Sequence, residues 1–361
     1  MIKYPIYQPS IGSREKELVN NCLDSSWISS RGEYVDLFEE KLCQIAGVKH
    51  AISMHNGTHP LHIACLLLGL DGESEVIMPV FSYVATANAV AYCGAKPIFV
   101  DITQDDWNID VSKIEDQITS NTKAIIAVDI YGYPANYRAL REIAQKYDIR
   151  IIADSAESIG AEYLGQNSGA FGELSTFSFF GNKTITTGEG GALLTDDDDF
   201  AEKARQLKNQ GNSTTQRYYH DVLGYNYRMT NIQAAIGLAQ LEKLDAILER
   251  KREVYKRYHT NLSQYVQFQV PKEHVNPSYW LVSFCLPHGV SRSGLEDFMS
   301  RKGIETRPFF TSMDDLPYFE TGNFEQSKDI SKRGVSIPSY PQLTNEEIDY
   351  ISQCVIDFLS S

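Results

Sequence analysis

Through roughly the first 240 residues, short apolar runs of strand length alternate with stretches whose apolar residues recur every three or four positions. The runs read as buried parallel strands and the periodic stretches as helices, which predicts an α/β domain with a largely parallel sheet. Helices are expected at 15–23 and 34–46, a strand at 50–54, and a helix from 58 to 70. A strand at 76–78, stopped by Pro79, is followed by a helix at 82–92 and strands at 96–101 and 124–129. Next come a helix at 137–147 and a strand at 150–154, and strands at 176–180 and 191–194 bracket a loop rich in Gly and Thr. From 231 to 262 the helical spacing runs through Ile232, Ala235, Ile236, Ala239, Leu244, Ile247 and Leu248, which predicts one long helix linking two domains. The rest mixes a strand at 280–286 with helices at 294–302 and 345–359, a smaller α+β domain. The boundary falls after residue 245, giving a large domain at 1–245 and a small one at 246–361.

Composition narrows the function. Of 361 residues, 42% are hydrophobic and 22% charged, enough apolar material for a sizeable core and too much for disorder. Asp and Glu number 47 against 33 Lys and Arg, a net charge of −14. Such a chain is not built to neutralise phosphates along a nucleic acid. No apolar run approaches the ~18 residues that span a bilayer, and the N-terminus lacks a signal-peptide apolar region, so a cytoplasmic protein without a membrane partner is expected. The six cysteines are scattered without a C-x-x-C pair, mostly in apolar patterns, and read as free thiols of a reducing compartment. The eight histidines show no metal-ligand spacing, and no metal is expected. His59 and His62, three positions apart, read as a pair on a helix surface.

Three segments carry candidate chemistry. Lys183 lies between an aromatic strand and the Gly/Thr-rich loop, in Phe179-Phe180-Gly181-Asn182-Lys183-Thr184. An apolar wall there lowers a lysine's affinity for its proton, as an imine-forming amine requires; the alternative is a surface lysine in a glycine loop. The upstream glycine of a P-loop is missing. Asp154 ends a buried strand, where ligands of open α/β sheets gather; it can hold a cationic ring nitrogen, or simply cap the next turn. Asn56-Gly57-Thr58 joins a strand to a helix, where backbone N–H groups attract phosphate, although Asn-Gly is also a common turn. A phosphate site, a carboxylate for a ring nitrogen and an amine for an aldehyde carbon are together what pyridoxal 5′-phosphate requires.

The whole chain resembles the DegT/StrS-type sugar aminotransferases. The carriers are Trp27-Ile28-Ser29-Ser30-Arg31-Gly32, Asn56-Gly57-Thr58, Asp154-Ser155-Ala156-Glu157, the stretch 175–191, Gly224-Tyr225-Asn226-Tyr227-Arg228-Met229 and Glu305-Thr306-Arg307-Pro308. The resemblance implies an aspartate-aminotransferase-like (fold type I) α/β large domain with a mixed, mostly parallel sheet, plus a smaller α+β C-terminal domain. It implies that Lys183 bonds the cofactor and later shuttles a proton, and that Asp154 keeps the ring nitrogen protonated. Gly57 and Thr58 would bind the phosphate through backbone N–H groups, Ser178 through its hydroxyl, and Asn226 from the other subunit of a homodimer. Tyr83 matches the aromatic position that stacks on the ring. Glu157 stands where Gln or His is frequent near the ring oxygen, and His59-Pro60 replaces small or apolar residues.

The resemblance further implies transfer of an amino group from L-glutamate to a keto sugar nucleotide, for a surface polysaccharide such as O-antigen. Around 179–191 and 225–240 the chain is most similar to members that aminate C4 of a GDP-linked 4-keto-6-deoxymannose. Trp27, Arg31, His220, Tyr279 and Arg307 are the candidate substrate contacts. The alternatives are a dTDP- or UDP-linked sugar, a 3-keto sugar, or a non-catalytic regulator of the same fold. Lys183 stands against the dehydratase branch, which carries His there.

Overall fold

The computed structural model describes residues 2–361. The chain opens with helices α1 (Ser13–Ser25) and α2 (Glu33–Ala46), strand β1 (His50–Met54), α3 (Thr58–Leu67), β2 (Glu75–Pro79), α4 (Ala85–Tyr92) and β3 (Lys96–Val100). It continues with β4 (Thr122–Val128), α5 (Tyr137–Tyr147), β5 (Arg150–Asp154), the short strands β6 (Glu162–Tyr163) and β7 (Gln166–Asn167), β8 (Leu174–Ser178), β9 (Gly191–Thr195) and α6 (Asp198–Lys208). After α7 (Asn231–Leu241) and α8 (Leu244–Leu262) come β10 (Val275–Asn276), β11 (Val282–Cys285), α9 (Arg292–Arg301), β12 (Arg307–Pro308), α10 (Glu325–Arg333), β13 (Gly334–Ile337) and α11 (Asn345–Leu359).

Seven strands form one sheet in the order β1-β9-β8-β5-β4-β2-β3. Only β9 runs against its neighbours; the other four pairings are parallel. The sheet is therefore mixed and mostly parallel, as the alternating pattern predicts. Alternate residues serve opposite faces: Ile126 and Ile152 pack with α3, α4 and α6, whereas Ile125, Ala127, Ile151 and Ala153 pack with α5. Burial on both faces is why these strands read as continuous apolar runs.

The stretch 231–262 is two helices and not one. Lys243 leaves the helical conformation at φ −117° and ψ 14°. Its ammonium pairs with Glu15 at 2.6 Å, and Glu242 pairs with Arg14 at 2.9 Å. The break thus coincides with contacts to charged residues of α1, while the apolar period passes through it unchanged.

The second unit has the antiparallel sheet β11-β13-β12, covered by α8, α9 and α11. Tyr4 belongs to this core and bridges to Ile304, so the first residues of the chain sit with the last hundred. A further apolar cluster joins the two units: Phe81, Val128, Ile130 and Tyr131 on one side, Trp280, Leu281 and Phe309 on the other. All six cysteines are free; Cys43 and Cys93 are half-buried and the others buried. Among the described residues no helix is long and apolar enough to cross a membrane, and no group of three or more His, Cys, Asp or Glu could hold a metal ion.

Candidate active site

The carboxyl ends of β5 and β8, the start of α3 and the junction with the second unit enclose a cavity of about 490 Å³. Gly57, Thr58, Tyr83, Asp154, Glu157, Ser178, Lys183 and Arg307 all line it, although they come from five separate segments.

Gly57 abuts Ser178. A β-carbon at Gly57 would lie 2.6 Å from the Ser178 hydroxyl, so only glycine allows this approach. The Thr58 and His59 N–H groups donate to Asn56 Oδ1 at 3.0 and 3.1 Å. A phosphate taking these N–H groups must therefore displace the Asn56 carboxamide. Ser178 Oγ accepts from the Phe180 N–H at 3.5 Å and keeps its own proton to donate.

Asp154 is buried and accepts from the Thr86 hydroxyl at 2.7 Å and the Ala156 N–H at 3.2 Å. The second bond is the turn cap of the plainer reading. Burial raises its affinity for a proton, against the pull of those donors and of Lys183. Glu157 is equally buried: Oε2 accepts the Tyr131 N–H at 2.7 Å and Oε1 lies 3.4 Å from Lys183 Nζ. Burial pushes its pKa up to about 7 despite the neighbouring ammonium. Lys183 Nζ also sits 3.9 Å from the centre of the Trp280 ring, whose Nε1–H donates to the Asn182 carbonyl at 2.7 Å.

The amine is thus held between an indole face and a carboxylate. Two buried carboxyl groups, Asp154 and Glu157, face one lysine amine. A cationic pyridine nitrogen would give the Asp154 carboxylate a counter-charge, and the Gly57–Ser178 cradle has room and donors for a phosphate, so the residues fit the cofactor.

Tyr83 is 59% exposed at the cavity edge and packs on Phe310, so it is free to cover a ring and is not core. Arg307 lies 3.8 Å from Glu305, whose other oxygen accepts the Ile6 N–H.

The remaining predicted residues do not line this cavity. Trp27 and Arg31 are at the surface, and His220 bonds the Gln210 carbonyl. Tyr279 stacks on Tyr255 with ring centres 4.0 Å apart, and the Asn226 side chain accepts from Arg228 at 2.6 Å. The histidine pair is also placed differently. His62 is buried against Tyr225 and Tyr227, and the His59 ring stacks on Tyr227 at 3.6 Å. Burial lowers the His59 pKa to about 4. An aromatic-rich hairpin distant in sequence covers this face of α3, which helical spacing alone could not reveal.

Thr86, Tyr131, Asn182 and Trp280 complete the site and were not singled out by sequence. Trp280 carried a signal, a tryptophan at the start of an apolar run; the others carried none, because their roles come from pairing across the fold.

The model of the DegT/DnrJ/EryC1/StrS aminotransferase family matches residues 9–356. The chain is 44% identical over 362 residues to the GDP-perosamine synthase of Escherichia coli O157:H7, covering 99% of this chain and 100% of that protein. It is 41% identical over 364 residues to the GDP-perosamine synthase of Vibrio cholerae, covering 99% of each. Among solved structures, that of PseC from Helicobacter pylori, an aminotransferase involved in the biosynthesis of pseudoaminic acid, matches with a TM-score of 0.94 and 26% identity over 99% of each chain.

Proposed function

The chain belongs to the DegT/DnrJ/EryC1/StrS aminotransferase family, and we propose that it moves the amino group of L-glutamate to C4 of GDP-4-keto-6-deoxymannose, making GDP-perosamine for a surface polysaccharide. It is an aminotransferase that depends on pyridoxal 5′-phosphate. The observation that carries the reading is the meeting of Asp154, Glu157 and Lys183 beside the Gly57–Ser178 cradle. The choice of sugar nucleotide leans on the similarity to two GDP-perosamine synthases along essentially the full chain.

The cofactor, when bound, supplies an electron sink for the carbon that loses or gains a proton. Asp154, buried and fixed by Thr86, holds the positive charge of the ring nitrogen. Lys183 Nζ takes and returns the proton at the substrate carbon, as general base and acid. Glu157 Oε1, 3.4 Å away and with a pKa near 7, can share that proton. Tyr83 covers the open side, and Arg307 offers a cation for a diphosphate or for the donor's carboxylate. Trp280, its ring centre 3.9 Å from the amine, covers one side of it against water.

A second copy of the chain completes the site in this reading. Asn226 does not line the cavity of its own chain, and its loop leaves Tyr218 and Leu223 more than four-fifths exposed, the kind of surface a partner covers. The six free thiols suit a reducing, cytoplasmic setting. The test is a panel of GDP-, dTDP- and UDP-linked 4-keto and 3-keto sugars with glutamate, following 2-oxoglutarate. The reading predicts fastest turnover with the GDP sugar. Faster turnover of another nucleotide sugar refutes the substrate and leaves the class standing.

A further inference from the structure

Thr86 sits in the first turn of α4, a helix otherwise rich in alanine, and is 1% exposed. A threonine there gives up helix propensity that alanine would supply, so its hydroxyl has a use. That hydroxyl makes the shorter of the two hydrogen bonds to Asp154, 2.7 Å against 3.2 Å from the Ala156 N–H. Its oxygen lies 3.1 Å from that of the Ser82 hydroxyl, also buried. An ionised carboxylate only accepts and Thr86 has one proton to give. The direction is therefore fixed as Ser82 to Thr86 to Asp154, a buried relay in which each bond strengthens the next.

We propose that Thr86 is the positioning residue for Asp154, holding its carboxylate in the plane and charge state that pair with the cofactor's cationic ring nitrogen. The inference deepens the aminotransferase reading and rests on it. Without the Thr86 hydroxyl, Asp154 keeps one donor, and burial then favours the protonated acid, which cannot neutralise a ring cation. Lys183 offers no substitute, because its amine is committed to the chemistry.

Thr86→Val removes the hydroxyl and keeps the branched shape. The measurement is equilibrium binding of pyridoxal 5′-phosphate to cofactor-free protein, beside the analogue in which a CH replaces the ring nitrogen. Thr86→Val should weaken pyridoxal 5′-phosphate by about 10- to 100-fold, the range for a hydrogen bond to a charged group, and leave the analogue's affinity where it was. Thr86→Ser, which restores the hydroxyl, should recover the loss. Equal weakening of both ligands, or no weakening of either, overturns the role of Thr86 alone. A wild-type protein that binds neither ligand overturns the aminotransferase reading and this inference together.

Discussion

Lys251 gives the sharpest physical prediction outside the site. It lies on α8 and is 1% exposed, with its ammonium bonded to the Trp280 carbonyl at 2.9 Å and near that of Ser339 at 3.3 Å. No ion pair among the described residues includes it, and the Tyr7 ring stands 5.8 Å away. Burial without a counter-charge lowers its pKa to about 7. An unfolded lysine holds its proton to about pH 10.4. Between those two values the unfolded chain carries a proton that the folded chain has released, so stability rises with pH across the window. From pH 7 to pH 9 the folded lysine goes from half-protonated to neutral while the unfolded one stays charged, which at 1.36 kcal/mol per unit makes the wild type about 2 kcal/mol more stable at pH 9 than at pH 7 from this residue alone. Lys251→Met keeps the length and the apolar packing but cannot titrate. Urea unfolding of cofactor-free wild type and Lys251→Met, at pH 7 and pH 9 and one protein concentration, isolates the term because other titrating groups cancel. The stability difference should move by about 2 kcal/mol toward the wild type at the higher pH. Parallel behaviour at both pH values would show that Lys251 keeps its charge in the folded state and refute the reasoning.

Two further perturbations bear on the site itself. Gly57→Ala places a β-carbon 2.6 Å from the Ser178 hydroxyl and 3.3 Å from its Cα, so the cradle must open. Overpacking of this kind costs about 1–3 kcal/mol, and phosphate competition should show weakened cofactor binding with melting lowered by only a few degrees. Glu157→Gln keeps an acceptor for the Tyr131 N–H and removes a carboxylate whose pKa burial raises to about 7. A raised carboxylate costs stability as pH climbs from about 4.3 through 7, so the variant should gain on the wild type over that range in thermal unfolding. A constant offset between the two melting curves would contradict the buried charge.

The strands were the most legible part of the chain, because burial on both faces writes them as unbroken apolar runs; β1 and β5 fall where the pattern places them. The candidate cofactor residues were legible for a related reason. Asp154 ends a strand, and Gly57 joins one to a helix, positions where an α/β sheet presents chemistry. The helix break at Lys243 was hidden because the contacts that accompany it come from α1, more than two hundred residues away. The burial of His62 was hidden likewise, since Tyr225 and Tyr227 reach it from another loop. Glu157 shows the limit most clearly. Its sequence marks it only as unusual, whereas the fold sets it against Lys183 and the Tyr131 N–H. Substrate contacts were the least legible, and Arg307 is the one such candidate that lines the cavity.

Lys183 is proposed as the amine that bonds pyridoxal 5′-phosphate. Borohydride reduction of the cofactor-loaded protein, followed by peptide mapping, tests it without any assumption about the sugar. The account predicts a reduced pyridoxyl group on Lys183 and its loss in Lys183→Arg, which keeps a cation beside Glu157 and Trp280 but forms no imine. A pyridoxyl group on any other lysine, or none on Lys183, would contradict it.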